Sequence, residues 1–196
     1  MKIQRVDGVY EPREDSFLTV DGVMNYIDEI RIGGMLEIGV GSGYVILSLL
    51  DKCPSSYFIG TDINFKAAQL TRNNAIENDL LLHMVCTEFA RSFRKGALPR
   101  TVVFNPPYLP ADASIDSSLS LEERMALVGG KKGTEIMMEY IIEMPKDVTG
   151  FFIVSSLSTE LKELERALKG KELDLIGEQS FSFEKLWLVR IRGNKN

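Results

Sequence analysis

The chain has 196 residues, 44% of them hydrophobic and 26% charged, a balance that suits a globular protein able to bury a full core as one domain. A net charge of −5 argues against a sequence-independent grip on nucleic-acid phosphates, and no apolar stretch approaches a membrane span or the core of a signal peptide. Cys53 and Cys86 form neither a disulfide framework nor a metal-ligand set, so both are read as small apolar residues in a reduced, cytoplasmic compartment.

Residues 1–13 are polar and turn-like, closing on Tyr10-Glu11-Pro12-Arg13. An apolar stripe of Phe17, Leu18, Val23, Tyr26, Ile27 and Ile30 predicts a helix over 14–30, ended by Gly33-Gly34. Its start, Arg13-Glu14-Asp15-Ser16, reads as a cap whose acids complement the helix dipole. The run 35–39 predicts a first core strand, and Gly39-Val40-Gly41-Ser42-Gly43 then opens a helix through residue 50. Glycines after a strand let a nucleotide-like ligand approach the backbone closely. The third glycine comes one residue too early for a dinucleotide fingerprint, and no lysine follows as in a P-loop. Glu37, two residues before the first glycine, would welcome a cationic or hydroxyl-rich ligand.

A second strand over 57–61 ends on Asp62, which is placed to hold ribose hydroxyls or to cap the helix predicted over 65–77. A third strand over 81–86 leads to Thr87-Glu88-Phe89, where Glu88 is placed to accept from an exocyclic amine of adenine. His83, the only histidine, lies inside that apolar run and is read as structural, which removes Ser–His, Cys–His and His–metal catalysis. A fourth strand over 101–104 delivers Asn105-Pro106-Pro107-Tyr108 at its C-terminal mouth. Prolines lack an N–H and stiffen the turn, so the Asn105 side-chain oxygen and the Pro106 carbonyl face outward without competing donors. Such a pair suits a planar –NH2 group, with Tyr108 as a flat wall beside it.

Residues 109–130 are predicted to be irregular, a binding loop, a lid or a disordered stretch, made acidic by Asp112, Asp116, Glu122 and Glu123. Gly129-Gly130-Lys131-Lys132-Gly133 leads into a helix over 134–143; its lysines read as a solvated helix entry and are also the one basic cluster near the predicted mouth. A fifth strand over 151–154, a helix over 159–168 and a strand pair over 173–183 and 186–192 complete the chain. The alternation implies an α/β fold in a single domain, a mostly parallel seven-stranded sheet with an antiparallel edge strand and helices on both faces. Residues 1–34 would lie over the ligand site, and 35–196 would form the core.

Three spaced motifs carry a resemblance. Glu37-x-Gly39-x-Gly41-x-Gly43, Asp62-Ile63-Asn64 and Asn105-Pro106-Pro107-Tyr108 resemble a Rossmann-like class I methyltransferase that uses S-adenosylmethionine. The last motif narrows the acceptor to planar amino nitrogens, in glutamine amides or adenine and related bases. The opening Val9-Tyr10-Glu11-Pro12-Arg13-Glu14-Asp15-Ser16-Phe17-Leu18 is similar to the archaeal–eukaryotic branch of the HemK/PrmC family, and the likeness covers almost the whole chain. That branch implies N5-methylation of the glutamine in the Gly-Gly-Gln motif of a class I translation release factor, and a small zinc-binding activator protein.

By the resemblance and the chemistry together, Asn105, Pro106, Pro107 and Tyr108 form the catalytic turn. Ser16, Glu37, Gly39 and Gly41 meet the cofactor's methionine side, Asp62 its ribose, and Glu88 or Phe89 its adenine; Gly43, Ile63 and Asn105 complete the cofactor set, with no metal. In such folds the third strand lies at an edge, and residues 80–86 carry no Lys, Glu or Pro to protect it, so the activator is expected to pair near Leu82 and Cys86. The chain departs from its relatives in lacking the helical N-terminal domain by which the bacterial ones grip release factors. It also has Leu127 where the eukaryotic ones have tryptophan, and Glu88 where an aspartate is usual. Three alternatives stay open: an adenine-N6 DNA or RNA methyltransferase, disfavoured by acidity; a protein-lysine methyltransferase, which would need a base; and an inactive cofactor-binding module.

Overall fold

The computed structural model describes residues 1–89, 93–94 and 96–193, with Ser114 and Ile115 described by their backbone. In chain order its elements are α1 (Glu14–Met24), α2 (Ile27–Gly33), β1 (Met35–Ile38), α3 (Tyr44–Lys52), β2 (Phe58–Asp62), α4 (Phe65–Glu77), β3 (His83–Cys86) and β4 (Thr101–Phe104). There follow α5 (Ala113–Asp116), α6 (Leu121–Leu127), α7 (Glu135–Glu143), β5 (Thr149–Ser155), α8 (Leu161–Ala167), β6 (Lys171–Ser180) and β7 (Lys185–Gly193).

The strands form one seven-stranded sheet in the order β3-β2-β1-β4-β5-β7-β6. The first five are parallel, and β7 runs against both β5 and β6. The predicted antiparallel edge is thus a β6–β7 hairpin, with the reversed strand standing one place in from the border. Every residue of β1, β2 and β4 is buried, which is why those strands read as continuous apolar runs rather than alternating ones.

Alternate residues of β5 feed two cores. Phe151 and Ile153 pack with Val23, Ile46 and Leu50 of α1 and α3, whereas Phe152 and Val154 pack with Met137, Ile141 and Leu164 of α7 and α8. Helices therefore cover both faces, each buried large side chain contributing roughly 1.5–3 kcal/mol. Successive strands run outward in both directions from β1 and β4, so the loops after these two diverge and leave a crevice at their C-terminal ends. Among the described residues no helix is long and apolar enough to cross a membrane.

Some expectations need correction. The helix expected over 14–30 is two helices that break at Asn25 and Tyr26. At the break Tyr26 packs on the Phe151 ring at 5.0 Å, with the Arg190 guanidinium 4.5 Å from its ring centre, tertiary contacts that outweigh local periodicity. The stretch expected to be irregular contains α5 and α6, the latter held by a Ser120–Glu123 capping box, and a bridge between Leu109 and Val128 closes its ends. Cys53 is buried, but Cys86 is exposed. His83 lies exposed on the edge strand with its ring 5.1 Å from that of Tyr57, outside the cavity described next.

Candidate functional site

A cavity of about 720 Å³ fills the crevice, within the size range of small-molecule sites. Ser16, Glu37, Gly39, Gly41, Asp62, Ile63, Glu88, Phe89, Asn105, Pro106, Pro107 and Tyr108 all line it. Gly43 does not. It sits just before α3 at φ +84°, where a Cβ would lie 2.8 Å from the Thr71 methyl, so it is a glycine for backbone and packing reasons.

The glycine loop is held by side chains beneath it. The Gly41 N–H donates to Asp62 Oδ2 at 3.0 Å, the Asn64 N–H donates to Asp62 Oδ1 at 2.8 Å, and Thr71 Oγ1 donates to the Gly41 carbonyl at 2.9 Å. Asp62 therefore pins the loop and does not cap α4; the Asn64 side chain accepts from the Lys66 N–H in that role. Burial raises the Asp62 carboxyl above its ordinary range against the pull of the Gly41, Asn64 and Ile63 backbone bonds. Glu37 is more isolated. Desolvation pushes its carboxyl well up, opposed by the Ile46 backbone bond and assisted by the charge of Asp62, and its Oε2 has no partner.

The N-terminal segment is tied across α4 and over this loop by asparagine carboxamides. Asn78 exchanges bonds with Lys2, its Oδ1 accepting at 2.8 Å and its Nδ2 donating at 2.7 Å. The fully buried Asn74 accepts from the Gln4 N–H at 2.9 Å and donates to the Ser42 carbonyl of the glycine loop at 2.9 Å. Asn64 donates to the Gly8 carbonyl at 3.1 Å.

This folding back brings in two residues the sequence reading missed. Asp15, 2% exposed, accepts from Tyr10 Oη at 2.8 Å, Ser16 Oγ at 3.1 Å and Tyr108 Oη at 3.4 Å. The helix does start where residues 13–16 predict, with Glu14 and Asp15 in its first turn, but no side chain caps it, and Asp15 faces the cavity with Tyr10. Burial, with the Asp15 charge second, pushes both tyrosine hydroxyls above their ordinary range, so both stay protonated donors.

At the end of β4, Asn105 Oδ1 is buried without a hydrogen-bond partner. An acceptor left in that condition costs about 1–3 kcal/mol, which a ligand N–H would relieve. Behind the turn stands the glycine segment that leads into α7, its Lys131 and Lys132 exposed as expected. A Cβ on Gly129 would collide with the Pro107 carbonyl, and one on Gly133, at φ +85°, with the Tyr108 carbonyl. The segment is a clamp on the Asn105–Tyr108 turn, while Lys131 lines the cavity. Gly133→Ala is expected to cost about 1–3 kcal/mol, from left-handed strain and the displaced turn together, read as a lower urea midpoint with an unchanged slope.

Comparison with known proteins agrees with this geometry. The methyltransferase small domain family matches residues 22–126. A Methanocaldococcus jannaschii chain named for N5-glutamine methylation of proteins is 31% identical over 196 residues, spanning 96% of this chain and 94% of its own. Methyltransferase HEMK2 of Homo sapiens is 32% identical over 176 residues, spanning 84% and 79%. Among solved structures, the E. cuniculi Mtq2–Trm112 complex, responsible for methylating the translation termination factor eRF1, superposes with a TM-score of 0.70 at 20% identity, covering 95% of this chain and 99% of the other. Alike along most of its length to both an archaeal and a human methyltransferase, the chain belongs to the methyltransferase small domain family, in its HemK-related branch.

Proposed function

We propose that this protein methylates the side-chain amide nitrogen of a glutamine, the one in the Gly-Gly-Gln motif of a class I translation release factor. The observation that carries the reading is the orphaned Asn105 Oδ1 at the cavity. The N5-glutamine name of the archaeal relative and the eRF1 methylation by the E. cuniculi Mtq2–Trm112 complex support the same acceptor.

The residues present fit S-adenosylmethionine. Glu37 would hold its cationic end, the Gly39 and Gly41 backbone would admit it closely, and Asp62 would take the ribose; Ser16, Ile63, Glu88 and Phe89 would complete the enclosure. Bound there, the cofactor supplies an electrophilic methyl on a positively charged sulfur. The rest falls to the chain. An amide nitrogen is a weak nucleophile because its lone pair is delocalised into the carbonyl. Asn105 Oδ1 and the Pro106 carbonyl accept its two N–H groups, fix its orientation and stabilise positive charge developing on nitrogen; the methylated nitrogen, strongly acidic while it carries that charge, gives one N–H proton to water and needs no base. Pro107 stiffens the turn, and Tyr108 walls it while its hydroxyl is held by Asp15. A lysine acceptor would need a base, and the Asp15 carboxylate is already engaged by Tyr10, Tyr108 and Ser16. A nucleic-acid acceptor is opposed by the net charge of −5.

A partner belongs to this reading. The β3 border is a free edge with Leu81 and Val85 exposed, which supports strand addition there by a small zinc-binding activator, around Leu82 and Cys86. Met84 faces inward instead, packing on Gly60, so Val85 is the position that probes the edge.

The test is transfer of labelled methyl to a release factor, with and without the activator. Label is expected on the native factor, none when its Gly-Gly-Gln glutamine is replaced, and Val85→Lys should remove the stimulation. Cofactor binding without any transfer, activator present, would mean that the acceptor is wrong.

A further inference from the structure

A second hollow, of about 390 Å³, opens at the tip of the β6–β7 hairpin. Phe183 is 92% exposed there, Phe181 41% and Leu157, on the turn after β5, 46%. Exposed aromatics grouped at a hollow mark a contact surface rather than a core. The hairpin is firmly held, so the exposure is a property of an ordered feature. The Ser156 N–H donates to the Lys185 carbonyl at 2.9 Å, the Lys185 N–H donates to Ser156 Oγ at 2.9 Å, and Ser155 Oγ donates to Glu184 Oε1 at 2.7 Å.

The hollow stands at the same end of the sheet as the Asn105–Tyr108 turn. β4 and β5 are parallel neighbours, so the turn after β5 lies at the same end of the sheet as Asn105. Ser158 in that turn stands against Gly133, which itself abuts the Tyr108 carbonyl. The Glu184 carboxylate is near enough to disfavour ionisation of the Tyr108 hydroxyl. A glutamine side chain that reaches Asn105 must trail its backbone out of the mouth, at the end of the sheet where this tip also stands. The rim has a sign as well. Glu160 and Glu184 border the hollow against the single cation Lys185, so this rim carries a net negative charge and favours a segment with basic and apolar side chains.

We infer that the β6–β7 tip, with Phe183, Phe181, Leu157 and Glu160, is the docking surface for the acceptor protein's own chain, as an extended segment with basic and apolar residues flanking the methylated glutamine. The inference rests on the glutamine reading above. It assigns the recognition of a whole protein to a part of the chain remote from the cofactor-binding loop.

Two variants of the full chain, Phe183→Ser and Glu160→Lys, test it in the presence of the activator. Both positions are exposed, and Glu160 makes no side-chain cap on α8. For each, KM for the release factor is expected to rise about five- to thirtyfold, with kcat within about twofold and unchanged calorimetric affinity for S-adenosylmethionine. Unchanged KM in both variants overturns the inference while leaving the glutamine reading intact. Loss of a dimer on sedimentation, or weaker activator binding, with KM unchanged at saturating activator, gives the patch to another occupant and overturns it too. If the native chain methylates no release factor, the glutamine reading fails and the docking surface falls with it.

Discussion

Asn105→Ala is expected to slow methyl transfer about a hundred- to a thousandfold while the fold and the cofactor affinity stay nearly as they are. The magnitude is that of removing one group aimed at developing charge in a preorganised site, here an acceptor facing nascent positive charge rather than a donor facing an oxyanion. The stability expectation follows from the orphaned Oδ1, since deleting an unpaired buried acceptor also deletes the cost of its desolvation. Unfolding free energy should therefore change by less than about 1 kcal/mol, the small void offsetting the relieved oxygen. Single-turnover rates, calorimetric cofactor titration and urea midpoints measure the three quantities. A rate loss under tenfold would leave the Pro106 carbonyl as the sole acceptor of consequence. A collapse of stability would recast Asn105 as a structural residue.

Glu37→Gln should have opposite effects on stability and on binding. The folded state raises the Glu37 carboxyl above its unfolded value, chiefly through desolvation. Between the two pKa values the folded chain holds more protons than the unfolded one, so stability falls as pH rises through that interval. Its contribution is complete below the unfolded pKa and is lost above the folded one, which makes Glu37 a liability at neutral pH without ligand. A neutral isostere removes the liability. The ligand-free variant is expected to gain about 1 kcal/mol near pH 7 and to lose part of the native chain's decline in melting temperature between pH 5 and pH 8. Cofactor affinity should drop about thirtyfold, the equivalent of one charge-assisted contact near 2 kcal/mol. In the native chain affinity should strengthen as pH rises, because binding a cation draws Glu37 into its charged form. A variant that melts lower at pH 7 would mean the carboxylate is paired, and unchanged affinity would move the cation site elsewhere.

Both positions were legible because each lies at the end of a buried strand, where a local motif and its place in the sheet coincide. The same holds for Gly39, Gly41, Asp62 and the Asn-Pro-Pro-Tyr turn. α4 matches its predicted bounds, and its Asn64 cap is a neighbour in sequence. What escaped depended on distant partners. Asp15 is buried by tyrosines from two other segments, Tyr26 breaks a helix by packing on Phe151, and Gly43 is fixed by Thr71. The clamp formed by Gly129 and Gly133 escaped because the carbonyls of Pro107 and Tyr108 that they press on are more than twenty residues away. α6 is a different failure. Its Ser120–Glu123 box is plain in the sequence, but a helix with no buried residue has no apolar stripe to announce it.

The Asn74 carboxamide joins two segments that do not otherwise share a function. It accepts from Gln4 with one end and holds the Ser42 carbonyl of the glycine loop with the other. Order in the first residues and order in the loop are consequently drawn on one group, and linkage makes their coupling reciprocal. Asn74 itself lies outside the cavity lining, so Asn74→Ala is expected to loosen the N-terminal segment and the glycine loop together, read as faster amide exchange in both, without deleting a group that faces the cavity.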